Sequence, residues 1–188
     1  MSYPVTVEVD FVERRSRLTT FFRLFLAIPL TFVALFYGIG LVLVVFAAWF
    51  VLLFTARWPV GMYDFVAGVL RFGTRFSAYF YLAVDPYPPF GLAPAPAYPA
   101  RLLVDPPLPH YSRLKVLLRV IYVIPAYVIA YVLTIFMELV AIVSWFAIVI
   151  LGRQPAGLQN VLLFCLAYTT RVHALLLLLT ETYPPFEP

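Results

Sequence analysis

Charge is scarce in this chain. Only 12% of its 188 residues are Asp, Glu, Lys or Arg, about half the ~25% of an ordinary soluble domain. Mean hydropathy is +0.96. Leu24 to Ala56 carries no charged side chain at all, and Val120 to Gly152 carries only Glu138. Cysteine is nearly absent: Cys165 stands alone, which excludes an internal disulfide and a cysteine metal site. Histidine is limited to His110 and His173, with no counterpart of either in the first half, which argues against a histidine-held metal or haem. Nucleotide-binding loops and the HExxH, CxxC and GxSxG patterns are missing too. No acid–base or nucleophile constellation can be assembled, so the expectation is a non-catalytic protein that needs no cofactor. The formal net charge of +4 comes from arginines that flank apolar runs and form no polar stripe, which argues against nucleic acid as a partner.

What the chain does have is hydrocarbon, and it has it twice. Arg17 to Phe90 lies over Arg113 to Phe186 without a gap, each residue pairing with the one 96 positions later. The matches include Arg23/Arg119, Pro29/Pro125, Trp49-Phe50/Trp145-Phe146 and Arg57-x-Pro59-x-Gly61/Arg153-x-Pro155-x-Gly157. They close on Tyr87-Pro-Pro-Phe90/Tyr183-Pro-Pro-Phe186. With a shift of 95, Tyr3 to Asp10 matches Tyr98 to Asp105. A tandem duplication follows, with units at 1–97 and 98–188.

Each charge-poor run exceeds the ~20 residues that cross a ~30 Å hydrocarbon core. As one straight helix each would measure about 50 Å at ~1.5 Å per residue. The length therefore predicts two spans per run, joined by tight turns at Gly38-Ile39-Gly40 and Thr134-Ile135-Phe136, with Glu138 near a hairpin tip. Pro29 and Pro125 predict either a packing bend or the end of an interfacial helix. Trp49 and Trp145 are expected at equivalent packing positions. The third segments, Gly61 to Val84 and Gly157 to Thr180, either span or lie in the headgroup region. Asp64, Gly68, Arg71 and Arg75 share one face of the first.

Charge bias favours the interfacial option. If the third helices do not cross, both units face the same way and every basic flank, Arg57 and Arg153 included, shares the cytoplasmic side. The fold expected is thus an all-α polytopic membrane protein: four spans plus two half-buried helices, with six spans as the alternative. Met1 to Asp10 alternates and reads as a short extended strand, not as a cleavable leader. The nine prolines between Ala83 and His110 predict an extended, stiff connector.

Arg75 and Arg171 stand within long apolar helices, where a charge costs ~2.5–3.5 kcal/mol unless paired or snorkelling. Together with Arg57, Arg71 and Arg153 they are the candidate contacts for lipid headgroups or another anionic ligand.

Tyr3 to Asp10, Arg14 to Leu24, Trp49 to Gly61 and Asp85 to Phe90, with their second copies, resemble the bacterial membrane family catalogued as domain of unknown function 4389. The second copy departs at Gln154, Gln159 and Asn160, where the first has Trp58, Tyr63 and Asp64. The resemblance implies a multi-pass protein of the bacterial cytoplasmic membrane, and supplies no site residues. An accessory or scaffold subunit, partnered by the lipid bilayer and other integral membrane subunits, is the function expected. A small transporter or lipid-handling protein with its site between the units is the alternative.

Overall fold

The computed structural model describes residues 3–186. Its elements run β1 (Val5–Val9), α1 (Arg17–Phe21), α2 (Arg23–Thr55), α3 (Val60–Phe80), β2 (Ala100–Val104), α4 (Arg113–Leu117), α5 (Arg119–Leu151) and α6 (Ala156–Leu176). The helices of the second half repeat the bounds of the first with the 96-residue offset. The strands carry the 95-residue offset. The chain is mostly helical, but the two strands make it less than all-α.

The expected hairpins are absent. Each long apolar run is one unbroken 33-residue helix, so two helices, not four, are long and apolar enough to cross a membrane. The physical reason lies in the presumed turns. Gly38 and Gly40 each cost about 1 kcal/mol in a helix interior but do not remove a backbone hydrogen bond as proline does. Thr134-Ile135-Phe136 contains no breaker at all. Gly40 serves packing instead: a Cβ there would lie 3.1 Å from Cζ of Phe65 on α3. Glu138 consequently sits within a turn of the midpoint of α5 and not at a tip.

Pro29 and Pro125 remain inside α2 and α5. The break between short and long helix comes earlier, at Phe22 and Leu118. The long helices stop at Ala56 (φ 57°) and Gly152 (φ 71°), both left-handed. Pro59 and Pro155 then precede α3 and α6. Leu82 and Leu178 repeat the left-handed stop after the third helices.

A pseudo-twofold axis relates the halves, and reciprocal hydrogen bonds mark it. Trp49 Nε1 donates to Val116 O (3.0 Å), and Trp145 Nε1 to Thr20 O (3.1 Å). Tyr111 N donates to Ala56 O (2.9 Å), and Arg15 N to Gly152 O (3.1 Å). The strands pair antiparallel with Val7 opposite Leu102, its own repeat partner, so the axis passes between them. Each strand also sits on the other unit's third helix: β1 on α6 and β2 on α3. Tyr98 Oη accordingly bonds Pro86 O (2.9 Å), and Tyr3 Oη bonds Thr182 O (3.1 Å).

Three layers result. The strand pair lies on α3 and α6, and these two separate it from α2 and α5. The helices α3 and α6 run antiparallel, with Trp58 Nε1 on Leu178 O (2.9 Å) and Gln159 Nε2 on Ala83 O (2.9 Å). The long helices are therefore antiparallel as well, and no Cα of α2 comes within 8 Å of one in α5.

That arrangement revises the charge expectation. Arg14, Arg17 and Arg153 gather at one end of the long-helix layer, where residues 14 and 153 form a bridge and Arg17 lies against Gly152. Arg57, Arg113 and Lys115 occupy the other end, with an Arg113 amine nitrogen on Phe54 O (3.0 Å). The basic flanks of a hairpin would have converged. Those of single antiparallel helices sit at opposite ends.

Candidate functional site

Three features carry the chemistry that could matter: an apolar outer face, a cleft on the axis, and arginine clusters at matching positions. The outer face comes first. In a helix a step of 18 residues is five whole turns and a step of 11 is about three. Phe25, Phe36 and Phe54 therefore fall on one stripe, and they are 70%, 70% and 77% exposed. Their counterparts Ile121, Val132 and Ile150 are exposed in the same way. In their most apolar 18-residue stretches α2 and α5 are only 11% and 22% buried. These are not core helices.

The cleft opens where α2 and α5 fail to meet. It holds about 500 Å³ and is bounded by α2, α3, α5 and α6. Its wall is apolar (Ala34, Leu41, Met137, Leu166) with a few polar groups, among them Thr134 and His173. Gly73 lies on it with open space around its Cα. Composition gave no sign of this cleft, because its polar groups come from three helices distant in sequence.

The arginines divide by position. Arg23 is buried and grips the turn after α3, donating to Tyr79 O (2.5 Å) and Val84 O (2.8 Å) while pairing with Asp85 (2.7 Å). It also stacks over the Tyr79 ring at 4.4 Å. Asp85 further accepts from Ser16 N (3.0 Å) and Thr19 Oγ1 (3.1 Å), so it fixes the start of α1. Arg119 repeats the bond to the turn, on Thr180 O (2.9 Å). Sequence reading passed over both arginines as site residues, although they align in the repeat.

Of the sequence candidates, Arg75 is buried and turned to the strand side, donating to Ala93 O (3.0 Å) and to Gly91 O. Burial lowers its pKa, opposed by the nearby Tyr98 hydroxyl. Arg171, also buried, stacks over the Tyr3 ring at 5.6 Å. Arg75 thus holds the connector after α3, and Arg171 faces the exchanged Tyr3. Arg71 is half-buried beside Arg101 and the Pro94–Pro96 segment. Arg57 and Arg153 are exposed at opposite ends, Arg153 within 3.6 Å of Glu13. The structure does not bring these five together. Pro29 and Pro125 face outward and do not line the cleft, whereas Trp49 and Trp145 bridge the two units.

The strand layer closes the other side. Val5, Val7 and Val9 point inward with Leu102 and Ala100, and Glu8 pairs with Arg101 on the outer face. Arg101 also makes two 2.8 Å bonds to Asp10, whose carboxyl it holds below the ordinary carboxylate range. Among the described residues no three His, Cys, Asp or Glu side chains gather to hold a metal ion. Cys165 is buried.

No curated protein and no solved structure matches the chain. A family model does, twice, over residues 17–91 and 113–187, the two halves that the reciprocal contacts relate. The chain belongs to the family described as domain of unknown function (DUF4389), in duplicate.

Proposed function

We propose that this protein is a non-catalytic, membrane-embedded scaffold, an accessory subunit that presents an apolar helix layer to lipid and to other membrane proteins. One observation carries the reading: two 33-residue helices, with mean hydropathy 2.6 and 2.4 in their most apolar 18-residue stretches, bury only 11% and 22% of those stretches. Each exposed apolar Å² costs about 25 cal/mol in water, and patches on soluble monomers rarely exceed a few hundred Å². A face of this size needs hydrocarbon or a partner. The bacterial cytoplasmic membrane is the compartment proposed.

The test is two-stage. Membranes from an expressing cell are washed with alkaline carbonate, and the retained protein is then purified in mild detergent. Retention together with a stoichiometric co-purifying membrane protein supports the reading. Release by carbonate contradicts the membrane half of it, and a lone monomer without a partner contradicts the scaffold half.

A second reading, a lipid-handling protein, is favoured by the axial cleft, which is apolar, open between the repeats and lined by a few polar groups as ligand sites are. Filling it by Gly73→Phe would then deplete lipid that co-purifies with the wild type, as measured by mass spectrometry. Equal lipid on both proteins would count against it.

A further inference from the structure

We infer that α2 and α5 do not cross the bilayer but lie in the plane of one leaflet, with their outer stripe toward the hydrocarbon and the strand layer in water. This placement rests on the membrane reading above and specifies how the face is covered.

Length is the first argument. A helix of 33 residues is about 50 Å long, and keeping its whole apolar length inside a ~30 Å core requires a tilt of roughly 53°. Spanning helices tilt by about 0–40°. Lying flat, a helix layer about 10–12 Å thick fits within one leaflet of about 15 Å.

Symmetry is the second. The axis passes through the strand pair and the cleft, and α2 and α5 lie together on the far side of α3 and α6. A twofold axis along the membrane normal puts both exposed stripes on one face, at one depth. Turned upright, the same body would carry the strand layer to mid-bilayer. The outer strand edges and the Glu8–Arg101–Asp10 cluster would then meet lipid tails. Open sheet edges do not occur facing lipid in the hydrocarbon region.

Charge is the third. Upright antiparallel helices would put Arg14, Arg17 and Arg153 on one side of the membrane and Arg57, Arg113 and Lys115 on the other, in conflict with the one-sided bias of membrane proteins. In the flat placement both ends reach the same headgroup layer. Exposed guanidiniums there meet anionic phosphates.

Sidedness of labelling tests it. In a Cys165→Ala background, single cysteines are introduced by Arg57→Cys, Arg153→Cys and Glu8→Cys. Right-side-out and inverted vesicles carrying the full chain are then treated with a membrane-impermeant maleimide. The flat placement gives all three sites labelled from one side and none from the other. Labelling of residues 57 and 153 from opposite sides, or of each partly from both, overturns it while leaving the membrane reading intact. Protein absent from the carbonate-washed vesicles overturns both.

Discussion

The two copies solve the same packing problem with different residues. In the first, both amine nitrogens of Arg23 are engaged: two carbonyls, the Asp85 carboxylate and the Tyr79 ring surround it, and among the described residues its Nε alone finds no hydrogen-bond partner. In the second, Arg119 keeps only the carbonyl of Thr180, and its Nε and one amine nitrogen find no hydrogen-bond partner among the described residues. The cause is traceable. Glu181 replaces Asp85 and keeps the bond from the serine amide, but Lys115, standing where the first copy has Thr19, approaches it to 3.9 Å. Leu175 stands where Tyr79 supplied its ring. A symmetric backbone thus tolerates asymmetric chemistry, and the geometry common to both copies is the part the fold depends on.

The comparison is sharpest at Trp58 and its counterpart Gln154. Trp58 is buried, bonded to Leu178 O and in edge contact with Tyr63 at 5.7 Å. Trp58→Ala is expected to destabilise by about 3–5 kcal/mol, the cost of emptying an aromatic site. Gln154, bonded to Ser144 Oγ (3.1 Å), is expected to cost about 1 kcal/mol on Gln154→Ala. Thermal unfolding in detergent measures both, and equal losses would break the asymmetry.

Next in size is the arginine pair. Arg23→Met removes the partner of Asp85, and breaking a buried pair costs about 3–5 kcal/mol. Because Asp85 is partly exposed, the lower end of that range applies. Arg119→Met removes a poorly satisfied charge and should be near neutral. A larger loss at Arg119 than at Arg23 would show that the second copy holds a partner of its own.

The helix stops give a smaller effect of opposite sign in the two copies. Ala56→Gly relieves a left-handed alanine and should stabilise by about 1 kcal/mol. Gly152→Ala imposes the same conformation and places a Cβ 3.1 Å from Arg17 Nε, so it should destabilise by about 1 kcal/mol or more. Unfolding midpoints that move the same way would contradict the equivalence of the two stops. Smallest and most alike are Trp49→Phe and Trp145→Phe, each losing one hydrogen bond across the unit boundary, at about 1 kcal/mol. The two should match within a few tenths and add in the double variant.

The duplication was legible in the sequence because arginine, tryptophan and proline recur at one spacing. So was the extended character of Val5 to Val9, through its alternation. The exchange of strands was not, since pairing Val7 with Leu102 depends on a symmetry axis that no local pattern encodes. Splitting each apolar run of 33 residues into two spans overlooked that nothing within it breaks the helix. Without a proline or asparagine at residues 38–40 or 134–136, the chain does not turn. The role of Arg75 was hidden for another reason: its partners are the carbonyls of Gly91 and Ala93, which composition does not distinguish from any others.

Depth along α2 tests the central claim most directly. Spin labels at positions 25, 36 and 54 report oxygen accessibility against that of a water-soluble collision reagent, with position 8 as the aqueous reference. The flat scaffold predicts similar, lipid-like depths at all three positions of α2 and a water-like value at position 8. A profile that is shallow at 25 and 54 and deepest at 36 would mean that α2 crosses the bilayer, and water-like values throughout would mean that the layer faces no membrane at all.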